Sequence, residues 1–506
     1  MRITLISPNI VSQKGDFFGT GIPYFPLVIA YTASYLRSKG HKINLIDAFG
    51  ENTTQVTEKD NKFIQGLTPQ EALNKIPKDT ELIFISAERV VAHQSIIDII
   101  RTIKCSEIKN TPIAILENTQ AVTAYALKNV KERFFNEGIN YLITGEPEKR
   151  VENFCSALKE NNKIKRESLL KKIDGLIYKD HKGKIIENKI EGIITDPDIL
   201  PFPAWDLFHL KNYWKLRYAH GPLSSKKYLP LLTSRGCPFP CTFCVVPSTN
   251  KQKWRPRSAK NVVDEIERFT KEFGVTEYHL EDLNPTIRKD RMIEIAKEII
   301  KRNLKISWKI SSGTKVETLD EETIRWMAKS GCSYISISPE SGSSRIMKMM
   351  RKPFPYDRAL ELVREMQRNK ITTQACFILG YPKEEKEDIK KTKEYIKQIV
   401  KAGIDEVAIL ILTPAPGSVI FEEYSKENEL DDLTKLTFTP TWRKDFKKYD
   451  KERKRLYLYF FLWRCIYYPL DVIKQPINLI TKRFDTKMEM TLYRVFKVWK
   501  MCKFYK

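Results

Sequence analysis

The sequence lacks any run of about 18 apolar residues, the length a membrane-spanning helix requires, although 42% of its 506 residues are hydrophobic. It also lacks a cleavage signal: the start, MRITLISPNI, reads as a strand with one Arg, so export is not expected. Its nine cysteines make no disulfide framework, because three share one short loop and Cys105, Cys155, Cys332, Cys376, Cys465 and Cys502 are scattered. A reducing cytoplasm is the compartment these absences imply. Acidic residues, 63 against 87 Lys/Arg, do not balance the basic ones and leave a formal net charge of +24. Such a charge invites nucleic acid, but its distribution argues otherwise. Residues 441–506 hold 18 Lys/Arg against 6 Asp/Glu, an excess of 12 that is half of the total. No RNA-binding fold signature accompanies this tail, so nucleic acid is not expected as a partner.

What the chain does have is the stretch Thr233–Val246, TSRGCPFPCTFCVV, which follows an apolar strand-like run. It places Cys237, Cys241 and Cys244 within eight residues. Three thiolates on so short a loop can converge on a soft metal centre, an iron–sulfur cluster or zinc. A closed structural site wants four ligands, and no fourth Cys or His follows at zinc spacing. Three ligands leave one iron of a cluster open to a small molecule. Pro238 and Pro240 stiffen the loop, and Gly236 permits a tight exit from the strand.

This Cys-x3-Cys-x2-Cys run resembles the signature of the radical S-adenosylmethionine (SAM) enzymes, with Phe243 where that superfamily carries an aromatic against the adenine. The resemblance implies a 4Fe–4S cluster on Cys237, Cys241 and Cys244 that chelates SAM at its open iron. One electron then breaks the S–C5′ bond and releases a 5′-deoxyadenosyl radical able to take hydrogen from an unactivated carbon. It also implies an external electron donor such as a flavodoxin or ferredoxin.

Upstream, the segments RITLIS (2–7), HKINLID (41–47), ELIFIS (81–86), PIAIL (112–116) and NYLIT (140–144) alternate with helical patterns near 26–38 and 94–104. A Gly/Pro-rich loop with Gly19, Gly21 and Pro23 precedes the first helix. Strands alternating with helices predict a parallel, doubly wound sheet, which binds ligands at the carboxyl ends of its strands. The order resembles the cobalamin-binding domain in front of many radical SAM enzymes, carried by the 23–30 loop, Gly40-His41, Asp47, Ser86 and the turn from Gly145 and Glu146 to Glu148. Cobalamin is the cofactor this implies. There is no D-x-H-x-x-G to supply a lower-ligand histidine, and that branch commonly lacks one. Where the family shows Gly-Gly-x-His, this chain has Glu117-Asn118-Thr119-Gln120, whose bulky polar side chains would crowd a corrin ring.

Residues 160–200 read as a small hairpin insert turning at Asp180–Gly183, followed by the proline-stiffened linker LPFPAWDL at 200–207. From 228 to about 424, six strand–helix units predict an open (β/α)6 barrel with its site at the strand carboxyl ends. The expected fold class is thus α/β: an N-terminal sheet (1–158), a linker with hairpin (159–227), a partial barrel (228–430) and a basic, aromatic helical tail (431–506). By resemblance, the strand ends supply SAM contacts: Glu281 and Asp282 for the amino group, Lys315 for the carboxylate, and, in the turn with Ser341, Glu340 to contact the ribose or order the site. Gly380 and Pro414 lie in the turns that close the fifth and sixth strands.

In the tail, Leu456–Tyr468 is a 13-residue stretch, apolar and aromatic except for Arg464 and flanked by Lys/Arg, and Leu492–Tyr505 repeats the mix. This composition suits helices lying in a membrane interface or capping the barrel, and a small-molecule or lipid-linked substrate is expected. Methyl transfer to an unactivated carbon is the reaction the resemblance implies first; radical chemistry without cobalamin is the alternative. A methylthiotransferase needs three further cysteines, and only Cys105 and Cys155 precede residue 237. From another class, a zinc-bearing protein docked on membrane or nucleic acid would not cleave SAM.

Overall fold

The computed structural model describes residues 1–16 and 21–504, so Gly19 and Tyr505 of the segments above lie outside the described residues. The N-terminal sheet has seven strands in the spatial order Ile185–Glu187, Leu176–Lys179, Tyr141–Ile143, Ile113–Glu117, Leu82–Ala87, Arg2–Ser7, Lys42–Asp47. The last five are parallel. Their order along the sequence is 2-1-3-4-5, which places the switch point between Arg2–Ser7 and Leu82–Ala87. Ile3, Leu5 and Ile6, and Leu82 through Ile85, have no exposed surface, as strands covered on both faces require.

The hairpin is not a free insert. Leu176–Lys179 pairs antiparallel with Tyr141–Ile143 and extends the same sheet. A second small sheet, Ile10–Gln13, Lys62–Gln65 and Val56–Lys59, had no counterpart in the sequence reading. Its signal was the Asp60-Asn61 turn, where both residues take positive φ (50° and 61°) as a two-residue hairpin demands.

The six barrel strands, Tyr228–Leu231, Glu277–Leu280, Ser307–Thr314, Cys332–Glu340, Thr372–Leu379 and Glu406–Ile411, lie in sequence order and are all parallel. Their helices carry local end signals. Ala259–Phe273, for example, starts at Ser258, whose hydroxyl accepts from the Asn261 amide, and stops at Gly274 (φ 65°).

An open barrel has two unpaired edges, and the tail deals with one of them. The helix Phe446–Tyr467 runs beside the sixth strand, where the Ile409 amide donates to the Tyr457 hydroxyl at 2.9 Å. After Pro469–Thr481, the helix Lys487–Phe504 begins with its Lys487 and Met488 amides on the Glu406 carboxylate, at 3.0 and 2.8 Å. A carboxylate there offsets the positive helix end. Part of the tail is therefore a barrel cap. No described helix is long and apolar enough to cross a membrane.

Candidate active site

The first barrel strand leaves the sheet at Thr233, and Asp282 dictates the exit. Its buried carboxylate accepts from the Thr233 amide (2.9 Å), the Thr233 hydroxyl (2.8 Å) and the Ser234 hydroxyl (2.5 Å). Gly236 then takes φ 80°, and a Cβ there would sit 2.1 Å from the Lys253 carbonyl oxygen, so only glycine fits the turn. Across the loop the Thr242 amide donates to the Met350 carbonyl (3.1 Å), and the Thr242 hydroxyl meets the Tyr381 hydroxyl (2.8 Å).

Held this way, Cys237, Cys241 and Cys244 are free thiols at the carboxyl end of the barrel, Cys241 buried and the others half-buried. Burial pushes all three up, Cys244 to about 12, while the Lys352 ammonium acts in the opposite sense on each. Among the described residues no three His, Cys, Asp or Glu side chains surround one ion. Cubane ligation does not ask for that, since each thiolate takes a different iron. The donor set fits a cluster with one open iron.

Around the loop stand groups of both kinds, those anticipated and one that was not. Glu340 ends the fourth strand at φ 55°, a left-handed conformation that a non-glycine residue adopts under constraint, beside a register irregularity with the fifth strand. Its carboxylate pairs with Lys352 at 2.5 Å, both buried. Lys352 was missed because it follows a short helix, Ser344–Met349, and carries no motif. Lys315 lies 3.8 Å over the ring of Phe239 in the cluster loop and pairs with Glu317 at 2.6 Å. Phe243 is half-buried against the core.

Other anticipated SAM contacts have partners within the protein. Asp282 shapes the strand exit, and Glu281 is hydrogen-bonded by His220 at 2.8 Å, with burial pushing that imidazole down to about 4. Ser341 is fully buried, its hydroxyl on Thr392 (3.2 Å). The Gly380 amide donates to Glu384 (2.7 Å) and its carbonyl accepts from Arg443 (3.2 Å). Pro414 is buried in the turn whose Pro416 carbonyl accepts from the Ala126 amide at 2.9 Å.

That last bond crosses to the N-terminal sheet, as do several others. Arg235 pairs with Glu148 (2.6 Å) and Arg255 with Glu146 (2.7 Å), all four buried, and Asn250 donates to the Thr119 carbonyl (2.6 Å). The carboxyl ends of both sheets thus face one another. Of the two residues expected at a corrin, Glu146 reaches across the junction, holding Arg255 and the Ile194 amide, while the Gly145 amide donates to Glu117 within the N-terminal unit.

Between the sheets, at the switch point, opens a cleft whose lining includes Ser7, Asn9, Asp47, Glu88, Arg89 and, from the barrel, Thr413. Ser86 lies beneath it, its hydroxyl donating to Glu88 at 2.7 Å. Asp47 accepts from the Tyr213 hydroxyl (2.6 Å) through one oxygen, while its buried Oδ1 has no partner among the described residues. Glu117–Gln120 do not fill the cavity. Glu117 is buried on the Leu127 and Gly145 amides, Asn118 turns to Glu88, and Val122 and Thr123 line that wall. Among the described residues no histidine lines it. An open cavity with apolar walls and an unpartnered buried acceptor fits cobalamin, whose rim carries amide donors.

Burial lifts Asp47 to about 6, and Glu117 and Glu384 each to about 7. Acids raised this way hold a proton in the folded chain where the unfolded chain has lost it, so stability falls as pH climbs from about 4 to 7. Asp47→Asn is expected to remove its share of that fall, about 3 kcal/mol between the ordinary value 3.8 and about 6. Urea unfolding of both proteins across that range reads the difference directly.

Comparison with known proteins agrees with this geometry. Residues 231–396 match the Radical SAM superfamily, and the chain is an enzyme with a radical SAM domain. It is 27% identical to an uncharacterised methyltransferase of Pyrococcus horikoshii over 88% of this chain and 86% of that one. It is 26% identical to an anaerobic magnesium-protoporphyrin IX monomethyl ester cyclase of Rubrivivax gelatinosus, over 88% and 74% of the two chains. Its fold matches that of the cobalamin-dependent SAM radical enzyme OxsB with a TM-score of 0.66, at 17% identity, covering 99% of this chain and 79% of that one.

Proposed function

We propose that this enzyme methylates an unactivated carbon, using a 4Fe–4S cluster on Cys237, Cys241 and Cys244, SAM, and cobalamin in the cavity at the switch point. The observation that carries the reading is the facing of two carboxyl ends: the thiol loop on the barrel side and the Asp47 cavity on the other, with Ala415 lining the cavity and belonging to the apolar cluster on which Cys237 and Cys244 pack. When bound, the cluster and SAM supply the radical and cobalamin supplies the methyl group. The chain's own residues position and insulate. Lys352, fixed by Glu340, offers a buried ammonium beside Cys241 for the SAM carboxylate, and Lys315 places a second cation over the loop. Asp47 offers a hydrogen-bond acceptor to an amide on the cavity's rim. The electron comes from an external flavodoxin or ferredoxin, and the substrate is a small or lipid-linked molecule. The likeness to the cyclase favours a second reading, radical ring formation without methyl transfer.

Anaerobic reconstitution with iron, sulfide and hydroxocobalamin, followed by desalting and metal analysis, tests the reading. About four irons and roughly one cobalt per chain are expected. Iron without cobalt would remove the methylation step, and zinc without iron would overturn the proposal. Lys352→Met is expected to strip Glu340 of its one ion-pair partner among the described residues, at about 3–5 kcal/mol of stability, and to weaken SAM binding about 10–100-fold. Lys352→Met with Glu340→Gln should regain stability but not SAM affinity, measured by equilibrium dialysis; full SAM affinity in the double variant would remove Lys352 from the site.

A further inference from the structure

We infer that the three tail helices form a docking surface for an anionic phospholipid membrane. On Pro469–Thr481, Leu470, Ile473, Ile477 and Ile480 recur every three or four residues, so they make one stripe. They are 80%, 65%, 56% and 81% exposed, and Asn478 is the one buried residue of that helix. The helix turns its apolar side outward, the reverse of an ordinary globular helix. Its neighbours do the same. Phe446–Tyr467 buries Leu456, Phe460 and Arg464 at four-residue spacing and leaves Leu458, Phe461, Leu462 and Ile466 on the opposite side. Lys487–Phe504 exposes Leu492, Phe496 and Trp499. Single exposed leucines need no explanation, but stripes on three consecutive helices do.

Charge decides what covers them. The 18 Lys/Arg against 6 Asp/Glu of residues 441–506 would set two like-charged surfaces together if a second copy of this chain were the occupant. A surface of opposite sign gains where a second copy loses. Lys482 and Arg483 are exposed at the end of the central stripe, where they can reach headgroups while the isoleucines enter the acyl boundary. Because no described helix is long and apolar enough to cross a bilayer, the helices would lie in its plane. Aromatic Phe496 and Trp499, 6.2 Å apart, suit that depth. The first tail helix packs on the sixth barrel strand, so the surface would hold the barrel against the membrane. The inference rests on the tail alone and stands whichever reaction the barrel performs.

Vesicle sedimentation of the full, iron-loaded chain tests it, with phosphatidylcholine vesicles and with vesicles one third phosphatidylglycerol (by mole, roughly). The chain is expected to pellet with the anionic vesicles, less so as salt rises. Leu470→Ser/Ile473→Ser/Ile477→Ser/Ile480→Ser should lower the bound fraction at least about tenfold with iron content unchanged, since all four side chains are exposed. Lys482→Glu/Arg483→Glu should weaken binding to anionic vesicles and flatten its salt dependence. Wild-type protein remaining in the supernatant, or equal binding by the serine variant, would overturn the inference. So would a dimer in sedimentation velocity that the serine substitutions dissolve while vesicles capture nothing; that result would assign the surface to a second copy.

Discussion

Exchange of Cys241 for alanine is expected to take the iron content of the reconstituted protein from about four per chain to below about one, and reductive SAM cleavage with it. Cys241 is the middle thiol of the loop and the buried one of the three. Its neighbours are fixed by hydrogen bonds from Thr242 to Met350 and Tyr381, so the loop cannot slide a substitute into place. Two remaining thiolates would leave two irons open, and a cluster with two labile corners is lost to solvent. The loss should exceed the roughly 10–100-fold that removal of an outer-shell partner brings. Cys105→Ala, an exposed thiol far along the sequence from the loop, should leave iron and SAM cleavage unchanged. Full iron in Cys241→Ala would place the cluster on other residues and remove the basis for the assignment.

Arg235→Met should cost about 3–5 kcal/mol of stability. Arg235 reaches Glu148 at 2.6 Å and stands 3.7 Å from Glu146, and all three are buried. Methionine fills much of the volume but leaves the Glu148 carboxylate without its cation in a low-dielectric junction, where an uncompensated charge is costly. Because Arg235 stands two residues before Cys237, slackening this junction should also lower iron retention. Arg235→Met combined with Glu148→Leu should regain most of the stability, since an apolar pair of similar size suits such a site. Urea midpoints of the three proteins, with iron content measured alongside, read both effects. A midpoint for Arg235→Met equal to that of the natural chain would show that the junction is held by other contacts, such as Asn250 on the Thr119 carbonyl.

The strands, the helices and the thiol loop were legible in the sequence because each depends on residues near one another in the chain. RITLIS and ELIFIS read as buried parallel strands from their apolar runs, and Ser258 and Gly274 mark the ends of a helix, because burial periodicity and end chemistry are local. The spacing of Cys237, Cys241 and Cys244 marked a soft-metal loop, and the resemblance to radical SAM enzymes supplied the expectation of an iron–sulfur cluster. Pairings between distant segments were not legible. Glu146 and Asp282 have residue types that suit ligand contact, yet their partners, Arg255 and the Thr233–Ser234 exit, come from segments that meet only when the sheets face each other. Asp47 and Lys352 show the converse, the first given its cavity and the second its Glu340 only by packing. The tail shows the division most plainly. Composition marked it as apolar and basic, but which side of each helix is spent on the barrel and which is left over was settled by the open edge of the sixth strand, whose Ile409 amide takes Tyr457 and so turns Leu458 and Leu462 outward.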